Sequence, residues 1–305
     1  MQDMLLPGLE VIERGWLSAN MVIVRGPHSA VIDTGYVSHE AQTLALVRAS
    51  FGSEGPQLLI NTHLHSDHCG GNAVLQQAFP ALRTLIPPGH AAEVARWDAY
   101  ALSYEPTGQH CPRFGFDNTL QPGQDLLIGE RPWQVLAAPG HDPHSVVLFE
   151  PDSRTLISAD ALWENGFGVV FPELEGLDAF DEVSATLDLI ESLQVKTVIP
   201  GHGAVFAYRP EVMARARQRL ASFVSSPSRH AQHAVKVLLK YKLLEVQQQA
   251  LPDFVAWAKS TPYMRTLYDQ WFAQSSMDDW LASLLDQLQQ AGAARVQDGM
   301  VLNQG

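Results

Sequence analysis

Asn61-Thr62-His63-Leu64-His65-Ser66-Asp67-His68-Cys69-Gly70-Gly71-Asn72 is the stretch on which the reading of this chain turns. His63, His65, Asp67 and His68, all able to ligate a metal, fall within six residues. Imidazole nitrogens and carboxylate oxygens suit zinc, and imidazole also suits iron and nickel. The apolar run at 57–60 reads as a buried strand, so His63 and His65 stand on extended chain. There the side-chain period of two points them the same way, towards one ion. At Gly70-Gly71-Asn72 the chain turns into a helix, which lets Asp67 and His68 swing towards a second ion. A single histidine is more often a packed or surface residue than a ligand. Three histidines and an aspartate at this spacing are a different matter.

Three shorter motifs extend the set. Gly140-His141, Ser158-Ala159-Asp160 and Gly201-His202-Gly203 each place one ligand type directly after an apolar, strand-like run, where α/β proteins collect their sites. With these pieces the chain resembles the metallo-beta-lactamase superfamily of metal-dependent hydrolases. The match is His63-x-His65-x-Asp67-His68, then His141, Asp160 and His202, in the family's order over about residues 10–205. The resemblance implies an α/β fold, a four-layer αβ/βα sandwich with two divalent metal ions at one edge. It implies zinc, with iron or manganese as alternatives. By that resemblance His63, His65 and His141 bind the first metal, Asp67, His68 and His202 bind the second, and Asp160 bridges both. Two cations about 3.5–4 Å apart share a water, lower its pKa and offer hydroxide at neutral pH; they also stabilise charge developing on the substrate oxygen. Asp67 is the candidate catalytic residue, a ligand that also accepts a proton from the nucleophile.

The ligand set discriminates among branches of that superfamily. An acid at Asp160, where antibiotic-cleaving members carry a Cys or no acid, argues against a true β-lactamase. His65 stands where the flavo-diiron branch usually has Glu, which favours hydrolysis. A sulfur dioxygenase branch keeps much of the motif with one iron. The glyoxalase-II-like thioesterases share the His-x-His-x-Asp-His core and the following Gly-Gly-Asn, but no obvious cluster of basic residues marks a glutathione site in this sequence.

Secondary candidates surround the ligands. Asp33, in Val31-Ile32-Asp33-Thr34-Gly35, matches the family's Asp-x-Gly turn beneath the metals and is a candidate to orient a ligand. His144 follows His141 closely and is a candidate substrate or supporting residue. Trp163, Asn165 and Phe167, in the Gly-rich loop after Asp160, are candidates to line the substrate pocket. The loop 105–118, with His110 and Cys111, is a candidate border. Cys69 reads as a small buried residue.

The chain has 305 residues, 46% hydrophobic and 17% charged, enough apolar material for a packed core. No run approaches the roughly 20 apolar residues that span a bilayer. Met1-Gln2-Asp3-Met4 lacks the basic charge of a signal peptide. Cys69 and Cys111 are the only cysteines, too few for a disulfide framework, and a reducing cytoplasm is expected. The net charge of −13 is uneven: residues 1–205 hold 9 Lys and Arg against 25 Asp and Glu, whereas 206–305 hold 11 against 8. An acidic body repels nucleic acid.

That shift places a domain boundary near 205, with a catalytic domain at 1–205 and a helical C-terminal domain at 206–305. The first part reads as strands at 21–25, 30–33, 57–60, 82–86, 133–137, 145–149, 155–158 and 197–199, with helices at 38–51, 70–79, 89–103 and 179–193. The second reads as helices at 210–224, 230–249, 251–260, 262–273 and 277–291, then a hairpin turning at Asp298-Gly299. Helices followed by a hairpin outline a winged helix, seen in a branch that resembles lactamase-like endoribonucleases. Arg215, Arg217 and Arg219 are therefore candidate nucleic-acid contacts, and the aromatics of the tail suggest either a cap core or a homodimer seam. The expected function is dinuclear metal-dependent hydrolysis of a small ester, thioester or lactone. The alternatives are a phosphodiesterase or ribonuclease using the same metals, and a mononuclear iron oxygenase or metabolite sensor.

Overall fold

The structure, a computed structural model, describes residues 5–305; the reading of Met1-Gln2-Asp3-Met4 lies outside the described residues. Two six-stranded sheets carry the first two thirds. The first runs in chain order through β1 (Leu9–Ile12), β2 (Met21–Val24), β3 (Ala30–Ile32), β4 (Leu58–Ile60), β5 (Arg83–Ile86) and β6 (Asn118–Thr119). Its β1–β3 meander is antiparallel, and β3 to β6 are parallel. The second sheet has β7 (Asp125–Ile128), β8 (Arg131–Ala137), β9 (Val146–Glu150), β10 (Thr155–Ala159), β11 (Thr197–Pro200) and β12 (Phe206–Ala207). Only its β10–β11 pair is parallel.

Strand alternation explains the layering. On β2, Val22 and Val24 pack inward with Ile157 and Ile199 of the opposite sheet. Met21 and Ile23 point outward beneath α1 (Glu40–Phe51) and α3 (Asn72–Ala78), which follows the short α2 (Ser66–Cys69). On β9, Val146 and Leu148 face the inter-sheet core. Val147 and Phe149 instead meet the outer helix layer. Full burial of each such side chain contributes roughly 1.5–3 kcal/mol. The small helices α4 (Ala91–Arg96), α5 (Tyr104–Thr107) and α6 (Phe171–Leu174) precede the long α7 (Ala179–Ser192). The result is helix, sheet, sheet, helix: the four-layer αβ/βα sandwich.

The tail comprises α8 (Pro210–Ser225), α9 (Pro227–Val246), α10 (Leu251–Ser260), α11 (Pro262–Leu267) and α12 (Met277–Gln290). Pro stands in the first turn of α8 to α11, where its missing N–H costs nothing. Ser276 caps α12 by accepting from the Asp279 amide at 3.1 Å. A three-stranded sheet completes the tail, with β13 (Gln248–Ala250) and β14 (Ala294–Gln297) flanking β15 (Met300–Asn303). Asp298 and Gly299 turn the β14–β15 hairpin with φ of 50° and 74°, as a two-residue primed turn requires.

Several local expectations need correction. The helix expected at 89–103 breaks where Trp97 turns left-handed with φ 58°. The one at 230–249 stops at Gln247, φ 62°, because the next three residues pair with β15. The one at 262–273 loosens into a π turn at Tyr268–Phe272. The amphipathic α8 lies across the second sheet beside α7, with Val212, Met213, Ala216 and Leu220 in the same core as Phe180 and Leu187. The separate core of the tail is built by α9 to α12 and packs against Val169 and Leu174. Tyr263 and Trp280 are buried in that core, with Tyr268, Trp271 and Phe272 partly buried against it. Among the described residues no helix is long and apolar enough to cross a membrane.

Candidate metal centre

The strands deliver the ligands. β4 ends at Ile60, and the next five residues lead into α2 at Ser66. Asn61 holds the loop, its Nδ2 donating to the His68 carbonyl at 3.1 Å and its Oδ1 accepting from Asn72 Nδ2 at 2.7 Å. Asp160 follows β10 and His202 follows β11, while His141 lies between β8 and β9. Close approach governs the backbone here. A Cβ on Gly201 would fall 2.1 Å from Asp160 Oδ1, and one on Gly168 would fall 2.4 Å from His141 Nδ1.

The structure brings all seven expected ligands together at this edge. His63, His65 and His141 form one group and Asp67, His68 and His202 another; a third group is His63, His68 and Asp160, each within 4.8 Å of its members. His63 Nε2 lies 3.1 Å from His65 Nδ1. His202 Nε2 lies 3.0 Å from Asp67 Oδ2. Asp160 stands between the groups, with Oδ1 3.6 Å from His68 Nε2 and Oδ2 3.4 Å from His141 Nε2 and 3.9 Å from His202 Nε2.

These residues fit divalent transition ions. His68 Nδ1 pairs with Asp33 Oδ2 at 2.8 Å, and His141 Nδ1 with the Val169 carbonyl at 2.6 Å. Nε2 of both rings is buried without a hydrogen-bond partner. With Nδ1 committed to these partners, each ring has only Nε2 left to offer an ion, and both Nε2 atoms face carboxylate oxygens of Asp160. A positive charge between nitrogen and carboxylate is what such a facing arrangement calls for.

The protonation balance says the same. Burial, reinforced by His68 and the other rings, pushes His63 far down, and burial followed by His141 pushes His65 down to about 4. Burial raises Asp67 and Asp160, but His68 and His202 more than offset it and hold both below the usual carboxylate range. Burial lowers His68 and His202, yet Asp160 and Asp67, with Asp33 beside His68, hold both above the ordinary imidazole value.

The secondary candidates divide. Asp33 accepts from the Thr62 amide at 3.0 Å, from Thr62 Oγ1 at 2.8 Å and pairs with His68, so it lies directly behind a candidate ligand. Trp163 donates through Nε1 to Asp160 Oδ1 at 3.1 Å and, with Asn165, lines a cavity of about 750 Å³ above the ligands. Phe167 and His144 do not line that cavity themselves. Phe167 is buried against Phe223 in the outer core, and His144 packs edge-on to His90, a lining residue. His110 donates its amide to Tyr36 Oη at 3.1 Å, and Cys111 lies 3.7 Å from Cys69, sulfur to sulfur.

Other cavity residues escaped the sequence reading. Trp16 stacks on His202 with ring centroids 5.3 Å apart, and Phe171 lies edge-on to His65 at 5.4 Å. Tyr241 of α9 brings its hydroxyl to 3.3 Å from Ser66 Oγ. Each arrives from a distant segment with no ligand-like pattern of its own. Residues of α9 and α12, among them Lys236, Tyr241 and Leu288, roof the cavity.

Comparison with known proteins agrees with this geometry. The family described as the metallo-beta-lactamase superfamily matches residues 14–202. A hydroxyacylglutathione hydrolase of Mesorhizobium japonicum is 29% identical over 153 residues, 49% of this chain and 50% of that protein. The chain thus spans about half of that relative's length. An acyl-coenzyme A thioesterase MBLAC2 of Bos taurus is 25% identical over 206 residues, 62% of this chain and 74% of that protein. Among solved structures, a metallo-beta-lactamase family protein of Thermus thermophilus, TTHA1429, has a TM-score of 0.59 at 18% identity, covering 98% of this chain and 99% of its own. That likeness concerns the fold.

Proposed function

The chain belongs to the metallo-beta-lactamase superfamily, and from that premise we propose that it is a dinuclear, metal-dependent hydrolase of a small acyl substrate, a thioester first, with esters and lactones as the neighbouring classes. The observation that carries this reading is the pair of His/Asp groups meeting at Asp160 on the floor of a roofed cavity. The thioester preference draws support from relatives named for hydrolysis of acylated glutathione and acylated coenzyme A.

His63, His65 and His141 would hold one ion, Asp67, His68 and His202 the other, and Asp160 would touch both; zinc suits this set, as do iron and manganese. When bound, such ions supply an acidified water and a positive charge against which a carbonyl oxygen is polarised. The protein's own groups do the remainder. Asp67 presents a carboxylate beside His202 that can hold a proton on its way to the departing thiol. Trp16 and Trp163 flank His202, and Phe171 walls off His65 and His141, which keeps bulk water from that side. The tail, read as a winged-helix-like cap, limits the cavity to small molecules.

The test is a panel of acyl thioesters, esters and lactones on zinc-, iron- and manganese-loaded protein, with metal content measured in parallel. Expected are two ions per chain and metal-dependent turnover that Asp160→Ala lowers by about a hundredfold or more. Failure of every acyl substrate under every metal overturns the reading.

A further inference from the structure

The cavity carries two clusters of opposite charge. Asp142 and Glu175 belong to one, while Arg219 of α8 and Lys236 of α9, with His233 beside them, form the other. Arg219 is turned inward. Its guanidinium carbon lies 5.5 Å and 5.3 Å from the ring centroids of Phe167 and Phe223. Its Nη2 donates to His233 Nε2 at 2.8 Å, and its Nε is buried with no partner. Gly166 presses on its stem, since a Cβ there would fall 2.7 Å from Arg219 Cδ. Burial lowers the guanidinium below its usual value. Burial, with Arg219, His230 and Lys236 adding to it, pushes His233 down to about 3. His233 is thus a neutral acceptor that orients the guanidinium and adds no charge.

The other cations of these helices are occupied. Arg215 donates to the Glu164 carbonyl, and Arg217 pairs with Asp188 and Glu191. Lys240 Nζ donates to the Ala293 carbonyl at 2.9 Å and to Asn303 Oδ1 at 2.6 Å. Among the described residues no carboxylate forms an ion pair with Arg219 or Lys236, though both line the cavity. Arg219 and Lys236 are both partly buried, a setting in which a charge gains from a partner, and among the described residues the chain provides neither with a carboxylate. A planar guanidinium held by one nitrogen still presents donors that match an oxyanion.

We propose that Arg219 and Lys236 form an anion subsite in this cavity, which takes a carboxylate or phosphate on the part of the substrate remote from the acyl bond. The role assigned to the bound anion rests on the hydrolase reading; the subsite itself does not. Lys236 is the residue to vary, because no hydrogen bond or ion pair among the described residues depends on it.

One arm measures binding alone, by calorimetric titration of the full-length, metal-loaded protein with propionate and with methyl phosphate. At least one is expected to bind saturably, to weaken roughly tenfold in Lys236→Gln, and to be unaffected by Arg217→Gln. No binding, or binding unchanged in Lys236→Gln, overturns the subsite. The second arm compares S-acetyl thioesters of a neutral thiol, N-acetylcysteamine, and of two anionic thiols, 3-mercaptopropionate and 2-mercaptoethyl phosphate. The ratio of kcat/KM for the better anionic substrate over the neutral one is expected to be roughly tenfold or more. It should fall towards one in Lys236→Gln and persist in Arg217→Gln; the two anionic thiols separate carboxylate from phosphate. Equal turnover of neutral and anionic substrates by the wild type overturns the proposal. Anion binding that depends on Lys236 without any thioester turnover would leave the subsite standing and remove the hydrolase reading.

Discussion

Asp33 shows how much of the candidate metal edge depends on a residue outside the proposed ligand set. It sits in the left-handed region with φ 57°, a conformation that Asp and Asn tolerate better than most side chains. From there one carboxylate takes two donors from Thr62 and meets the His68 ring. Asp33→Asn keeps the size and the backbone preference but loses one acceptor oxygen, so the His68 ring loses its anchor. Metal affinity is expected to fall about 10–100-fold, read by competition with a chromophoric chelator, while the thermal midpoint of the metal-free protein moves little. An unchanged affinity would show that the ring is oriented by something else. Residues of this kind were legible because they lie in short motifs at strand ends. Trp16, Phe171 and Tyr241 were not, because nothing local to them records the ring or hydroxyl they meet.

Helix α9 carries a pH dependence of its own. His230 is fully buried, accepts from the Val170 amide through Nε2 at 3.2 Å, and is pushed down to about 4 by burial and then Arg219. His233, three residues on, is pushed down to about 3. In the unfolded chain both take up a proton near pH 6.5. Between that pH and about 4 the unfolded state therefore binds more protons than the folded one, so stability falls as pH falls and these groups add no slope above 6.5. His233→Gln should give a shallower decline of the thermal midpoint between pH 6.5 and 4 than the wild type, by scanning calorimetry at several pH values. Parallel declines would remove His233 from the balance. The sequence indicated that α9 exists but not where it ends. Gln247 leaves the helix because β15, more than fifty residues later, offers Gln248–Ala250 a ladder, and no local propensity reports a partner so distant.

At the scale of the whole molecule, the three arginines of α8 that stood as candidate nucleic-acid contacts are each engaged elsewhere. Arg217 is paired to acids of α7, Arg215 is bonded to a loop carbonyl, and Arg219 faces the cavity. Fluorescently labelled single-stranded RNA is expected to show no saturable binding even at about 50 mM salt; a salt-sensitive, saturable isotherm would bring the ribonuclease reading back. The sandwich was legible through the resemblance that the ligand motifs carry; the division of β2 and β9 between two cores was not, because both are apolar runs with no polar alternation to mark their faces. The placement of α8 was not, since an amphipathic helix declares that it has an apolar face and not which sheet receives it.

The cavity takes its base from strand-end loops of the sandwich and its ceiling from α9 and α12, two parts of the chain with separate cores. On the proposed hydrolase reading, what reaction is performed and what molecule is admitted would be written in different stretches of sequence. Substitutions on the cavity-facing side of α9 can change the guest list while the machinery beneath stays as it was, which gives such an architecture room to diverge in diet without first losing its trade.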